Sequence, residues 1–391
     1  MAEQAQHVGK ETVRIAFFGP LTGAIAPEGR SAANAARLAV RLRNATVQAR
    51  YHYDLVVLDD ECNPVTGVRL AAMVAADASV AAAMPHYCSA VAMRTVEVFH
   101  QHRLPVVVWG AELPEVITGN CYPEIFRLNG SWSDQNRIMA PFMVGQGFRR
   151  WAVVYESSAY GQGHLRFFKQ YLAGTEGAVV GEYAVDAEQT DFAAEMAAIR
   201  ALEPEVVLVA NPNARWLQAG LGMPAVPANS GLNTLSWRIH QALEGAQIEA
   251  QFQGTGGIMS PSFIDTLGAR AEGSLAIRGG APLERLPGGT MFRDAFAQQG
   301  LADPIEPYGP FAFAATTLVM DIVEQVGPDR ATIAQALAAV RGHATILGPV
   351  TFDPTGQNIA APITKYVVQD RKWVVWEDSD YAVGNRRLKG R

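Results

Sequence analysis

The chain has 391 residues, of which 49% are hydrophobic and 18% charged, and its formal net charge is −6. This composition predicts a globular protein that is long enough for two domains or lobes. No block of basic residues stands out, which argues against a nucleic-acid partner or an anionic membrane surface, and no apolar run approaches the ~18 residues that a membrane-spanning helix needs.

Residues 12–110 alternate between strand patterns and helical patterns. Strands are predicted where apolar residues run together, and helices where apolar residues recur with a helical period. The predicted strands cover residues 12–21, 53–61, 78–87 and 104–110, and the predicted helices between them cover residues 28–45, 64–77 and 90–102. This alternation predicts a parallel sheet with helices on both faces.

A second series of the same kind begins near residue 136. Strands are predicted at residues 149–157, 177–185, 204–211 and 249–257, with helices at 136–147, 161–174, 191–202, 291–300 and 310–327. Two alternating runs, 363–370 and 372–378, predict an antiparallel hairpin around Asp370 and Arg371. The layout favours two doubly wound lobes, although an α/β enzyme would show the same alternation.

Sequence signatures of catalysis are mostly absent. The chain lacks the phosphate-loop pattern, the dinucleotide fingerprint, the nucleophile elbow and the H-E-x-x-H zinc pattern. His100 and His102 would point to different faces of a helix, so we interpret both as surface residues rather than metal ligands. We therefore expect no enzyme activity, no cofactor and no bound metal.

The chain contains three cysteines. Cys62 ends the second predicted strand and Cys88 ends the third. If those strands are neighbours, their ends lie within the 4.4–6.8 Å that separates the Cα atoms of disulfide-bonded cysteines. A Cys62–Cys88 bridge would leave Cys121 free and would place the protein in an oxidising compartment. The alternative is three unpaired cysteines in a cytoplasmic protein.

The amino-terminal residues, "MAEQAQHVGKET", are polar and lack the apolar core of a signal peptide. Two interpretations stay open. Either the protein is cytoplasmic, or the sequence is that of a mature periplasmic protein that starts with an added methionine.

An ordered set of segments resembles the type I periplasmic solute-binding proteins of ABC transporters, in the leucine/isoleucine/valine-binding branch. The likeness covers about residues 12–378. Its segments are "IAFFGPLTGAIAPEGRSAANAARLAV", "DDECNPVTGVRLAAMVAAD", "HYCSAVAMRTVEVFHQHRLPVVVWGAELPEV", "YESSAYGQGHLRFF", "QFQGTGG", "EPYGPFAFAATTLV" and "LGPVTFDPTGQN".

The resemblance implies an α/β fold of two doubly wound parallel-sheet lobes, joined by three hinge crossovers, with the ligand in the interlobe cleft. We expect one lobe to contain residues 12–131 and 260–346, the other to contain residues 132–259 and 347–380, and tails at 1–11 and 381–391. The implied protein is a monomeric receptor without enzyme activity. It captures a small carboxylate-bearing solute by hinge closure and delivers it to membrane permease subunits.

In parallel sheets ligands bind beyond the carboxyl ends of the strands, where residues 19–29, 86–90, 109–115 and 254–257 are expected. Ser89 begins a predicted helix, whose N-terminal N–H groups suit a carboxylate. In the resembling family this serine binds the ligand carboxylate, but a plain N-cap is the simpler alternative. Gly110 matches the position whose carbonyl faces the ligand's amine. Tyr160 and Tyr308 match ligand-facing positions and could equally be core residues.

Three positions depart from the amino-acid-binding pattern. The glutamate that pairs with an α-ammonium falls on Gly256, the threonine of the "A-T" turn falls on Glu112, and a first-loop aromatic falls on Glu28. Because a buried unpaired carboxylate is costly, these changes alter the charge that a ligand must carry. Trp109 and Trp132 could stack on a planar ligand or serve as lobe packing. Ala90 and Asn211 complete the candidate ligand-binding set.

We therefore expect a solute-binding receptor for an amino-acid-like or aromatic acid. One alternative is a cytoplasmic ligand sensor on the same fold, and another is an α/β enzyme without a recognisable motif. A disulfide would argue against the sensor, and turnover of a bound ligand would support the enzyme.

Overall fold

The computed structural model describes residues 9–23, 25–212, 231–259 and 261–391. Within these ranges the chain forms two units. Among the described residues, unit 1 contains 9–23, 25–131 and 280–362, and unit 2 contains 132–212, 231–259, 261–279 and 363–391. Each unit has its own sheet and its own buried core.

The described strands and helices are numbered in chain order. The strands are β1 (Glu11–Gly19), β2 (Tyr51–Asp59), β3 (Val80–Met84), β4 (Val106–Val108), β5 (Ile125–Arg127), β6 (Arg150–Glu156), β7 (Ala178–Val185), β8 (Val206–Ala210), β9 (Gln251–Gly254), β10 (Leu275–Gly279), β11 (His343–Thr345), β12 (Gly348–Val350), β13 (Ile363–Gln369) and β14 (Lys372–Val375). The helices are α1 (Ala26–Asn44), α2 (Pro64–Ala76), α3 (Ser89–Gln101), α4 (Glu115–Thr118), α5 (Trp132–Gly145), α6 (Ala159–Leu172), α7 (Ala193–Leu202), α8 (Gly231–Gly245), α9 (Pro261–Leu267), α10 (Gly289–Ala297), α11 (Gly309–Val326) and α12 (Arg330–Ala338).

Unit 1 is built on an open, parallel five-stranded sheet in the order β2-β1-β3-β4-β5. Helices cover both faces, which explains why the second half of β1 is an unbroken buried run rather than an alternating one. The predicted parallel sheet is therefore confirmed. The sequence patterns did not predict β5, because a three-residue strand is too short to show a period.

The helices of unit 1 begin and end where the sequence supplies local signals. Asn63 caps α2, since its side-chain oxygen accepts hydrogen bonds from the backbone N–H groups of Val65 at 2.8 Å and Thr66 at 3.2 Å. Pro64 occupies the first helical position, where the missing N–H is harmless. Among the described residues, no helix combines the length and the apolar character needed to cross a membrane.

Unit 2 contains a seven-stranded open sheet in the order β14-β13-β10-β9-β8-β6-β7. Strands β6 to β10 run parallel, and β13 and β14 add an antiparallel hairpin at one edge. Asp370 and Arg371 form the turn with φ values of 51° and 61°, which confirms the predicted hairpin. The sequence patterns did not predict β10, which pairs with both β9 and β13.

The boundaries of the two units differ from the expected ones at two crossings. Residues 261–279 lie in unit 2 rather than unit 1, because β10 belongs to the second sheet. Residues 347–362 lie in unit 1, because this segment pairs with β5. There the Arg127 N–H donates to the Gly356 carbonyl at 2.9 Å, and the Asn358 N–H donates to the Arg127 carbonyl at 3.0 Å. The crossing between Ser131 and Trp132 coincides with the expected one.

Residues 381–391 were expected to be a tail, but they pack onto unit 2. Tyr381 and Leu388 are buried in the core of unit 2. Arg386 forms ion pairs with Glu272 at 2.6 Å and Asp370 at 2.9 Å. One acidic partner of Arg386, Glu272, lies 114 positions earlier in the chain, so local sequence gave no sign of this contact.

Candidate functional site

The strand order of unit 1 identifies the edge where a ligand is expected. β1 lies between β2 and β3, so the chain leaves β1 in one direction and β3 in the other. In open α/β sheets, ligands bind at this switch point, outside the carboxyl ends of the strands. The segments that follow β1 and β3 lead into α1 and α3, which carry Glu28 and Ser89 in their first turns.

Ser89 is the first residue of α3 and is half-buried. Cys88 occupies the N-cap position, and no side chain caps this helix by a hydrogen bond, so the simple capping role considered for Ser89 is not observed. The Ser89 hydroxyl oxygen instead accepts a hydrogen bond from the Leu113 N–H at 3.2 Å. Its own O–H can still donate to an anion, as can N–H groups of the first turn, where Ala90 is exposed.

The loop after β4 is joined to the loop after β3 by backbone hydrogen bonds. The Trp109 N–H donates to Pro85 O at 3.2 Å, and the Ala111 N–H donates to His86 O at 3.0 Å. Gly110 lies between them, and a Cβ there would come within 2.9 Å of the Tyr87 ring and 3.0 Å of Tyr87 Cα. Only glycine therefore permits this close approach.

Trp109 is fully buried beneath that loop. Its ring stacks on Phe17 with centroids 5.3 Å apart and contacts the Tyr87 ring at 5.6 Å. The indole N–H donates to the Phe18 carbonyl at 3.1 Å. The packing role that the sequence allowed is observed, and stacking on a ligand stays a prediction.

Glu112 and Tyr308 lie in contact although they are 196 positions apart. The Tyr308 hydroxyl donates a 2.5 Å hydrogen bond to Glu112 Oε1, and both residues are buried. The Tyr308 ring also packs edge-on against Tyr87, with centroids 5.2 Å apart. Glu28 is a second buried carboxylate of unit 1, at 8% exposure. Two positions that depart from the amino-acid pattern thus place acidic groups inside this unit.

The predicted Cys62–Cys88 disulfide is present, with its Cα atoms 5.6 Å apart. The reason given for it was wrong in one respect, because β2 and β3 are not neighbours and β1 lies between them. The loops that follow the two strands approach each other beyond the end of β1. Cys121 is exposed and unpaired.

A buried contact between Asp60 and His86 supports the disulfide and was not found from the sequence. Asp60 Oδ2 lies 2.7 Å from His86 Nδ1, and both side chains are fully buried. The other oxygen of Asp60 accepts a hydrogen bond from the Cys62 N–H at 2.9 Å. The hydrogen bonds of Asp60 therefore connect the loop that contains Cys62 with the loop that contains Cys88. The proximity of His86 to Cys88 in the sequence was the signal that could have pointed to this contact.

Unit 2 has a corresponding switch point between β6 and β8. Tyr160 lies in the first turn of α6, which follows β6, and Trp132 begins α5. Their rings meet edge-on with centroids 5.0 Å apart, and both contact His164. The structure therefore brings these two predicted residues together in one aromatic group.

His164 is the polar centre of that aromatic group and was missed by the sequence analysis. It is fully buried, and burial lowers its pKa to about 3, so the imidazole is neutral at physiological pH. Asn136 lies 2.9 Å from its Nδ1 and donates to the Trp132 carbonyl at 2.8 Å. The spacing of Trp132 and Asn136, one helical turn apart, was the signal that could have linked them.

Asn211 and Gly256 lie at the carboxyl ends of the neighbouring strands β8 and β9. Asn211 is buried, and its backbone carbonyl accepts a hydrogen bond from the Thr255 hydroxyl at 3.3 Å. Gly256 begins a 3₁₀ turn, Gly256–Ile258. A Cβ at Gly256 would lie 3.2 Å from Cγ of Arg278, a residue that the sequence analysis did not select. A charged residue inside the apolar run "LAIRGG" was its signal.

Within the described part of the chain, no group of three or more His, Cys, Asp or Glu side chains is arranged to hold a metal ion. The described candidate residues instead combine hydroxyl and amide groups with buried carboxylates and aromatic rings. Such a combination suits noncovalent recognition of a small polar molecule.

A family model described as "Periplasmic binding protein" matches residues 12–220. The Leu/Ile/Val-binding protein of Escherichia coli K12 is 24% identical over 350 residues, which is 88% of this chain and 88% of that protein. An ABC transporter substrate-binding protein from Desulfitobacterium hafniense has the same fold, with a TM-score of 0.76, 20% identity and coverage of 93% of this chain and 100% of that one. A solute binding protein from R. palustris, in complex with benzoate, gives a TM-score of 0.69 at 18% identity, covering 93% and 95% of the two chains.

Proposed function

The chain belongs to the periplasmic binding protein family, and on that basis we propose that it is the solute receptor of an ABC importer. It binds a small acid and delivers it to the permease subunits in the membrane. Binding requires no bond to be made or broken, so we propose that the protein is not an enzyme. The receptor acts as a monomer.

The observation that carries the proposal is the position of the candidate side chains in each unit. Glu28 and Ser89 follow β1 and β3, which flank the switch point of the unit 1 sheet, and Tyr160 and Asn211 follow β6 and β8, which flank that of the unit 2 sheet. In unit 1, Ser89 and the first turn of α3 supply O–H and N–H donors for a carboxylate. In unit 2, Tyr160 and Trp132 supply aromatic surface.

We propose that one ligand binds to both edges. A ligand that makes contacts with both units favours a closed arrangement, because each unit adds binding free energy only when the units approach each other. Closure of this kind presents the loaded receptor to its permease in a different shape from the empty one.

The proposed ligand is an aromatic or otherwise atypical acid rather than a standard aliphatic amino acid. Gly256 offers no carboxylate to an α-ammonium, and the Glu112 carboxylate accepts a hydrogen bond from the Tyr308 hydroxyl within unit 1. Similar proteins include receptors for both kinds of ligand: one is a Leu/Ile/Val-binding protein, and another is a solute binding protein in complex with the aromatic acid benzoate.

We place the protein in the periplasm. Its disulfide supports an oxidising compartment, since cytosolic thiols are normally kept reduced. The same bridge argues against the cytoplasmic sensor that the polar amino terminus allowed.

Titration calorimetry with leucine, isoleucine, valine, benzoate and hydroxylated benzoates tests the ligand class. We expect at least one aromatic acid to bind with micromolar affinity and leucine to bind at least about tenfold more weakly. Native mass spectrometry of the freshly purified protein provides an independent search for a retained ligand. Micromolar leucine binding would contradict the proposed ligand class and indicate a receptor for branched-chain amino acids. Turnover of any bound acid would contradict the proposed receptor function.

A further inference from the structure

Arg278 is a half-buried arginine near the end of β10. Its Nε atom is buried and has no hydrogen-bond partner among the described residues. Its guanidinium lies over the ring of Tyr366, with Cζ 5.8 Å from the ring centroid. Burying the Nε–H group of an arginine without an acceptor costs folding free energy, and an anion bound beside it would supply that acceptor.

Arg278 lies beside Gly256, which begins the 3₁₀ turn after the neighbouring strand β9. β10 pairs in parallel with β9 through Leu275 and Gln253, and Arg278 and Gly256 each lie three residues further along the chain. A Cβ built on Gly256 would be 3.2 Å from Arg278 Cγ and 3.4 Å from its Cβ. The absence of a side chain at position 256 therefore makes room for the arginine at the ligand-binding end of this sheet.

The neighbours of Arg278 suit a planar anion. Thr364 is its partner in the register between β10 and β13, and Tyr366 lies two residues further along the same face. Both of these residues are buried. A guanidinium forms two parallel hydrogen bonds with one carboxylate, a geometry that a lysine does not reproduce.

We propose that Arg278 binds a carboxylate of the solute, so that unit 2 recognises an anion at the position where an amino-acid receptor would recognise an ammonium. This inference rests on the proposed receptor function. Ser89 in unit 1 is proposed to bind one carboxylate of the same ligand. A ligand that also binds Arg278 therefore carries two carboxylates, and we expect a dicarboxylic acid with a planar spacer.

Terephthalate and benzoate are a matched pair of probes, since they differ by one carboxylate. Calorimetry on the full chain should show terephthalate binding more tightly than benzoate. Arg278→Gln should lower the affinity for terephthalate roughly ten- to hundredfold, the range for losing hydrogen bonds to a charged group, and should change benzoate affinity less than about threefold. Arg278→Lys should recover only part of the loss.

Two further variants control for indirect effects. Arg371→Gln removes an exposed arginine of the same unit and should change neither affinity. Gly256→Glu places a carboxylate beside Arg278 and should abolish the preference for terephthalate. Thermal unfolding of Arg278→Gln should stay at or above that of the parent, because an unsatisfied buried nitrogen is removed.

The outcomes separate this inference from the receptor function. If Arg278→Gln binds terephthalate as tightly as the parent does, or if the parent does not prefer terephthalate to benzoate, the role of Arg278 is wrong. The receptor function stands in both cases if benzoate or another acid binds and Ser89→Ala weakens it. If no acid binds and native mass spectrometry finds no ligand, both proposals fail.

Discussion

Removal of the Cys62–Cys88 bridge should destabilise unit 1, which contains both cysteines. The bridge closes a loop with a sequence separation of 26 residues. The chain-entropy relation gives about 11.8 cal/mol/K for such a loop, or about 3.5 kcal/mol at 25 °C. The double variant Cys62→Ser/Cys88→Ser should therefore lose about 3–4 kcal/mol of unfolding free energy, since its unfolded chain is no longer constrained.

Urea denaturation followed by circular dichroism measures this loss, and Cys121→Ser is the matched control because Cys121 is exposed and unpaired. The control should unfold as the parent does. Under strong reductant, the parent should become as unstable as the double variant, and the difference between them should disappear.

Thiol counting in denaturant without reductant provides the second readout. We expect one reactive thiol, from Cys121. Three reactive thiols would show that the bridge does not form, and a double variant within about 1 kcal/mol of the parent would show that the loop-closure reasoning does not apply here. Either result would also remove the disulfide argument for a periplasmic location.

Three other predictions concern ligand closure, the carboxylate contact and pH. Small-angle scattering should give a smaller radius of gyration with a saturating acid than without it, and tight binding with no change would contradict closure. Ser89→Ala should weaken binding of the acid by about 1–3 kcal/mol in calorimetry, while Ser79→Ala, at the opposite end of β3, should not. Because burial holds the pKa of His164 at about 3, below its unfolded value of 6.5, folding stability should fall as pH falls between those values, and His164→Gln should flatten this dependence between pH 6 and 4. An unchanged pH profile in that variant would show that another group controls it.

The sequence by itself determined the order and type of the main elements. Apolar periodicity identified β1 to β4 and α1 to α3 within a few residues, because a buried strand and an amphipathic helix leave local patterns. It also predicted the β13–β14 hairpin from two turn residues. Short strands such as β5 and the late strand β10 left no such pattern, and without β10 the boundary at 279/280 could not be placed.

Only the tertiary structure decided which of these elements are neighbours. The cysteines form a bridge although β1 separates their strands, and Asp60 and His86 pair beneath them. Trp109 packs against Phe17 and Tyr87, which come from two other segments of the chain. Arg278 lies beside Gly256 because β10 joins β9. Strand order depends on contacts between residues far apart in sequence, so local periodicity carries no information about it.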